Sequence, residues 1–144
     1  LYAKIGKNIN KIIILGFIGC AACYFIAAIS NIAIIGLFSC AFTGFCASML
    51  WPGNLIVASE RYPSGGVFIY ALMAAGGDLG ASVGPQLVGI VTDLAIENKK
   101  TAELALNLNL SPEQFGMKLG LLVGMLFPLA AFLLFGYLKK SKSK

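Results

Sequence analysis

The chain has 144 residues, of which 58% are hydrophobic and only 12% are charged, with 17 glycines and no histidine. A soluble domain of ordinary composition carries about a quarter charged residues, so this composition excludes a water-soluble globular domain. The formal net charge is +5, and its placement along the chain accounts for it without a nucleic-acid partner.

Charged residues are segregated from long apolar stretches. Residues 12–59 and 119–138 contain no Lys, Arg, Asp or Glu, and about 20 apolar residues suffice for a helix to cross a hydrocarbon core of about 30 Å. Inside such a core every backbone amide needs an internal partner, so the spans are helices or closed barrel strands. Barrel strands alternate with period two, and these stretches do not. The sequence therefore predicts an all-α membrane protein that crosses the cytoplasmic membrane several times.

Four transmembrane helices are predicted in chain order. The first covers residues 12–29 and follows a basic lead that contains Lys4, Lys7 and Lys11. A polar break at Ser30-Asn31 separates it from the second, residues 32–58. The turn Ser59-Glu60-Arg61-Tyr62-Pro63-Ser64-Gly65 ends the second span, because its proline and its last glycine interrupt a helix. The third span covers residues 66–94.

A polar connection, residues 95–115, precedes the last span. Its charged residues are Glu97, Lys99, Lys100, Glu103 and Glu113. Because it is too polar for lipid, we expect an external loop that folds on the surface. It ends in Ser111-Pro112-Glu113-Gln114, which offers a Ser cap, a Pro at the first helical position and a Gln able to close a capping box. The fourth span covers residues 117–138, and a basic tail, residues 139–144, follows.

Basic residues are divided unequally between the two sides of the membrane. Four spans place the lead, the turn and the tail on one side, which holds Lys4, Lys7, Lys11, Arg61, Lys139, Lys140, Lys142 and Lys144. The other side holds Lys99, Lys100 and Lys118. Cytoplasmic loops carry the excess of positive charge in membrane proteins. Both termini are therefore predicted to be cytoplasmic, with the lipid bilayer as the partner of the tail.

Neither a metal site nor soluble enzyme chemistry is predicted. Cys20-Ala21-Ala22-Cys23 has the Cys-x-x-Cys form, but it lies in the middle of an apolar span, and the chain has no histidine to complete a zinc site. Buried cysteines commonly act as small apolar packing residues. Without histidine there is no Ser-His or Cys-His pair, and no phosphate-binding Gly-rich loop occurs. We expect no enzymatic activity, no metal and no cofactor.

The third span carries two stripes of residues that recur at every fourth position. One stripe consists of Gly76, Gly80 and Gly84, and small residues at this spacing let a neighbouring helix approach closely in a membrane. The other consists of Asp78, Ser82 and Gln86, two residues out of phase. Two residues correspond to about 200° of rotation around a helix. We therefore expect the glycine face to pack and the nearly opposite polar face to meet water or protein.

Asp78 lies near mid-depth of the predicted third span. An ionisable group there costs several kcal/mol unless it faces a cavity, has a partner or is protonated. A role in a solute or proton pathway is therefore the first interpretation, and a structural hydrogen bond to an adjacent helix is the alternative. For Ser82 and Gln86 the sequence favours a pathway role and an interhelical hydrogen bond equally.

The second span contains a fainter pattern of the same kind. Ser39 and Thr43 share a helix face, and Trp51-Pro52-Gly53-Asn54 interrupts the helix because its proline removes a backbone hydrogen bond. Interrupted helices line substrate paths in transporters, so Thr43, Trp51 and Asn54 are pathway candidates. Trp51 is equally a candidate for the interfacial aromatic belt. The first and fourth spans have no ionisable residue in their interiors and are predicted to be lipid-facing support.

Three short motifs, in this order, resemble the major facilitator superfamily of secondary transporters. Tyr2-Ala3-Lys4-Ile5-Gly6-Lys7 is similar to the basic motif before the ninth helix of that superfamily, usually Asp-Arg-x-Gly-Arg-Arg, with Ala3 in place of the Asp and Asn8 in place of the last Arg. Glu60-Arg61-Tyr62-Pro63 resembles the Glu-Arg-Phe-Pro turn between its tenth and eleventh helices. Gly84-Pro85 followed by Gly89 resembles the Gly-Pro-x-x-x-Gly of its eleventh helix. The chain thus resembles the last four helices of such a transporter, with bacterial sugar permeases of the fucose-permease type nearest in character.

This resemblance implies an alternating-access transporter in which two six-helix bundles rock about a central site. There the tenth helix lines the cavity, the eleventh lies at the bundle interface, and the ninth and twelfth face lipid. The chain does not begin with Met, and we expect a C-terminal part that needs the missing N-terminal helices of the same transporter. The expected function is secondary transport of a small polar solute, with a sugar as the first candidate and protons coupled through Asp78. A drug or metabolite exporter of the same superfamily and a self-contained four-helix scaffold subunit are the alternatives.

Overall fold

The computed structural model describes residues 8–141, and all regular structure in that part of the chain is helical. Six α-helices follow one another there: α1 (Ile9–Ile29), α2 (Ala33–Ser48), α3 (Leu50–Arg61), α4 (Gly66–Glu97), α5 (Lys99–Asn107) and α6 (Pro112–Ser141), with a 3₁₀ turn at Pro63–Gly65. Four helical segments of the described chain are long and apolar enough to cross a membrane, namely Ile9–Ile29, Ala33–Arg61, Pro63–Glu97 and Pro112–Leu138. The prediction of an all-α chain with four such segments is confirmed.

Two predicted features fall outside the described residues. They are the motif Tyr2-Ala3-Lys4-Ile5-Gly6-Lys7 and the end of the basic tail, residues 142–144. The orientation of the chain relative to the cytoplasm, which depends partly on these lysines, stays a prediction.

The second of the four long apolar segments is interrupted at Met49. α2 ends at Ser48 and α3 begins at Leu50, with Met49 between them at φ −89° and ψ −13°. Pro52 lies four residues after Ser48, and a proline ring clashes with the carbonyl of the fourth preceding residue and has no N–H to bond it. The Gly53 N–H then donates to the Met49 carbonyl at 3.1 Å, and the helix resumes. The irregularity predicted at Trp51-Pro52-Gly53-Asn54 is therefore present, but the break lies just before that motif.

Polar caps define the helices of the predicted external loop. This connection contains the short helix α5, which the sequence analysis did not predict. It begins at Asn98, whose Oδ1 accepts the Lys100 N–H at 3.0 Å in the manner of an N-cap. The capping box predicted at the start of α6 is confirmed. Ser111 Oγ accepts the Gln114 N–H at 3.2 Å, and Gln114 Oε1 accepts the Ser111 N–H at 3.3 Å.

α1 lies in the middle of the described helices. It packs against α2 and α3 on one side and against α6 on the other, and α6 in turn packs against α4. Small residues permit this, since a methyl group at Gly16 would lie 2.8 Å from Leu50 Cδ2 and one at Gly19 only 2.7 Å from Cys46 Sγ. The Phe17 ring meets the edge of the Phe135 ring of α6, with 6.3 Å between centroids. The first span was predicted to be lipid-facing support, but within the described chain it is the span with the largest buried share, and only part of its surface, such as Leu15 and Ile18, is exposed.

Lys118 ties the end of α1 to the start of α6. Its Nζ donates to the Ser30 carbonyl at 2.8 Å, to Asn31 Oδ1 at 2.6 Å and to the Ile29 carbonyl at 3.3 Å. Carbonyls at a helix C-terminus lack helical partners, and the helix dipole favours a cation there. Lys118 therefore keeps the end of α1 close to the start of α6. These two ends lie on the same side when successive spans run in alternating directions.

Glycines of α6 allow it to approach α4 closely. A methyl group at Gly116 would lie 2.9 Å from the Thr92 carbonyl oxygen, and one at Gly120 would lie 3.3 Å from the Val88 carbonyl oxygen and overlap Thr92 Oγ1. Gly116, Gly120 and Gly124 share the four-residue spacing of the glycine stripe in the third span. The sequence analysis singled out the stripe of the third span and missed this one.

Replacing Gly120 is expected to separate α4 from α6. Gly120→Leu places a large side chain against the Val88 backbone, which cannot move aside as a side-chain tip can, and overpacking of this kind costs about 1–3 kcal/mol. Gly44→Leu is the matched control, because no atom lies within 4 Å of a Cβ at Gly44. Thermal unfolding in detergent measures the difference. Equal melting temperatures for the two variants would contradict the α4–α6 contact.

Candidate functional site

The polar stripe of α4 is exposed along its whole length. Asp78, Ser82 and Gln86 are all exposed, whereas Val88, Thr92 and Ala95 of the same helix are buried or half-buried where α4 meets α6. The Ser82 hydroxyl donates to the Asp78 carbonyl at 2.9 Å, so it is satisfied within its own helix. No other element of the described chain therefore covers the stripe.

Trp51 of α3 approaches α4 beside Asp78. A methyl group at Gly77 would lie 3.1 Å from Trp51 Cζ3 and 3.5 Å from Cη2, so the indole ring rests where Gly77 has no side chain. The ring is still 47% exposed. Asn54, about one helical turn further along α3, is half-buried. The missing side chain of Gly77 thus lets Trp51 contact α4 one residue before Asp78 in sequence.

Thr43 lies elsewhere. Its hydroxyl donates to the Ser39 carbonyl at 2.8 Å, and its own carbonyl accepts the Cys20 thiol of α1 at 3.7 Å. Ser39 is only 7% exposed. Ser39 and Thr43 share a face, but in the described chain this face packs against α1 and is not joined to the polar stripe of α4.

The cysteines lie mainly in the contact between α1 and α2. Cys20 and Cys23 are buried, Cys46 is half-buried against Gly19, and Cys40 is exposed. Across residues 8–141, no three His, Cys, Asp or Glu side chains are placed so that they could hold a metal ion.

The glycine stripe of α4 borders a groove. No atom of a neighbouring element lies within 4 Å of a Cβ at Gly76, Gly80 or Gly84. Between α4 and α6 lies an apolar groove of about 620 Å³, lined by Tyr24, Gly80, Val83, Gly84, Pro85, Val88, Gly120, Leu121, Gly124 and Phe127. The packing role of the three α4 glycines stays a prediction. Sequence reasoning missed the groove, whose signal was the matching glycine spacing of the third and fourth spans.

Comparison of the chain with protein-family models, with curated proteins and with solved structures finds no match. The resemblance to the major facilitator superfamily therefore rests on its short motifs. Two of them lie in the described chain: Glu60-Arg61-Tyr62-Pro63 spans the end of α3 and the start of the 3₁₀ turn, and Gly84-Pro85 with Gly89 lies inside α4.

Proposed function

We propose that this chain is part of a secondary active transporter that moves a small polar solute across the cytoplasmic membrane by alternating access. The observation that carries the proposal is the exposed stripe of Asp78, Ser82 and Gln86 on a helix of 32 residues. A sugar is the first candidate for the solute, and protons are the proposed coupling ion.

The stripe is unsuited to a lipid environment. A charged side chain near the middle of a bilayer costs several kcal/mol, and such residues face a cavity or the interior of a helix bundle. The three positions cover roughly 12 Å of helix, at 1.5 Å per residue, so they form a continuous polar track. A track of this kind supports a solute path more than a single structural hydrogen bond.

The residues around the stripe suit a hydroxyl-rich solute. Ser82, Gln86 and Asn54 offer neutral donors and acceptors, which pair with hydroxyl groups in either direction. Trp51 adds a flat apolar surface beside Asp78, and such a surface can cover the apolar face of a sugar ring. Binding sites for small molecules combine apolar walls with a few polar groups in this way.

Further helices complete the proposed site. The spans Ala33–Arg61 and Pro63–Glu97 are the least buried spans of the described chain, and lipid can cover their large apolar side chains, such as Phe38, Phe45 and Phe68, which are exposed. Lipid cannot satisfy Asp78 and Gln86. We therefore propose that other helices of the same transporter face this stripe and enclose the path.

Solute uptake tests the proposed function. The complete gene product in lipid vesicles is expected to take up at least one member of a panel of radiolabelled sugars, with a rate that saturates. Because Trp51→Ala removes the ring, it is expected to raise the sugar concentration that gives half-maximal uptake at least tenfold. Phe68→Ala is the matched control, because Phe68 is an exposed aromatic of α4 that lies more than two helical turns from Gly77, where Trp51 contacts the helix.

Other results would contradict this proposal. Extrusion of apolar dyes without sugar uptake would assign the chain to an exporter. Absence of any solute flux, together with a stable complex of this chain with other membrane proteins, would assign it to a scaffold.

A further inference from the structure

α4 consists of a free half and a packed half. From residue 66 to residue 83 every residue is exposed except Ile69 and Met73, which are half-buried. From Gly84 onward buried and half-buried residues recur at helical spacing where α4 meets α6. Packing therefore begins at Gly84-Pro85.

Pro85 makes this boundary a point where the helix can bend. A proline inside a helix donates no N–H, so the carbonyl of Ala81 lacks its helical partner, and the ring clashes with that carbonyl. Sharp bends in helices occur mainly at such prolines. The free half can thus change direction relative to the packed half without breaking further hydrogen bonds.

The groove beside the free half provides room for this bending. Its volume is about 620 Å³, and its two walls carry Gly80 and Gly84 on α4 and Gly120 and Gly124 on α6. Nothing from a neighbouring element lies within 4 Å of a Cβ at Gly80 or Gly84, so the α4 wall is free to approach. On the other wall Gly124 already contacts the Tyr24 ring, and the free half would close onto this side of α6.

Trp51 supports the free half in its present position. Its ring lies against Gly77, and α3 is itself anchored to α1, where a methyl group at Gly53 would lie 2.9 Å from Ile13 Cγ1. The Trp51 ring, held in place by α3, therefore contacts the part of α4 before Pro85 and keeps it in its present position.

We propose that residues 66–84 of α4 form a hinged segment that bends at Pro85 and closes onto α6, with the Trp51–Gly77 contact holding the open position. Closure moves Asp78 with the segment. A role of this closing movement in solute transport rests on the proposed function, but the movement itself needs no solute.

Distances between spin labels test the hinge. Leu72 on the free half and Leu133 on α6 are 63% and 69% exposed, so cysteines there can be labelled in the full chain after its four native cysteines are replaced by Ala. In lipid nanodiscs we expect a long and a short distance, the short one arising when the helix axes reach a packing separation of about 8–10 Å. Trp51→Ala should enrich the short distance, and Pro85→Ala should leave a single distance.

Filling the groove should favour the open position. Gly84→Leu is expected to remove the short distance. If Gly84→Leu does not fold, Gly80→Leu replaces it in the same test. Gly44→Leu, which fills open space on α2, should leave both distances unchanged. A single distance shared by the wild type and all variants would overturn the hinge. Loss of a co-purified lipid chain from Gly84→Leu, with no change in distances, would also overturn it and assign the groove to lipid. Solute transport by a protein with a single spin-label distance would refute the hinge but not the proposed function. Two spin-label distances in a protein that transports no solute would refute only the proposed function.

Discussion

Asp78→Asn is expected to abolish uphill accumulation of solute driven by a proton gradient, while downhill exchange and membrane insertion stay near normal. Asn keeps the shape of Asp and costs less to place in a membrane, but it cannot bind and release a proton. Asp78 is exposed on α4, so a proton can reach it from the proposed solute path. The loss of accumulation should therefore be complete.

The measurement is solute accumulation against a pH gradient in vesicles that contain the complete gene product. Solute exchange in the absence of a gradient is the control, because it reports folding and binding without coupling. Ser82→Ala is the matched variant, since the Ser82 hydroxyl already bonds the Asp78 carbonyl and exchanges no proton. Normal accumulation by Asp78→Asn would leave Asp78 as a helix-contact residue.

Local features of the fold could be predicted because each depends on residues close in sequence. The capping box at Ser111 and Gln114 depends on four consecutive residues, and the break at Met49 depends on Pro52 and the carbonyl that its ring obstructs. The length of each span follows from the thickness of the bilayer. These constraints act whatever the other helices do.

Contacts between helices could not be predicted in the same way. Lipid tails are as apolar as leucine, so the packed face of a membrane helix need not be its most apolar face. α1 is apolar on all sides, and only its packing against α2, α3 and α6 shows that it is central. The glycine stripes of α4 and α6 have equal spacing, yet Gly120 is in contact with a neighbouring helix and Gly80 is not.

The role of the candidate site stays a prediction. Asp78, Ser82 and Gln86 are exposed, but the glycine face of the same helix is not packed either, so exposure does not distinguish the two stripes. Thr43 was grouped with them because its type and spacing were similar, but type and spacing do not show which neighbour a face meets, and Thr43 meets α1. The approach of Trp51 to Gly77 joins residues far apart in sequence and had no signal in the sequence.

The central claim is that the polar stripe of α4 faces water or a solute path and the rest of the exposed surface faces lipid. Labelling of single cysteines by a water-soluble, membrane-impermeant thiol reagent measures this directly in the complete gene product, after the native cysteines are replaced by Ala. We predict rapid labelling of Ser82→Cys and Gln86→Cys, slowed by bound solute. We predict almost none for Val83→Cys and Leu87→Cys, although Val83 and Leu87 are 49% and 42% exposed in this chain. Equal labelling of all four positions, or labelling of these two apolar positions alone, would contradict the account.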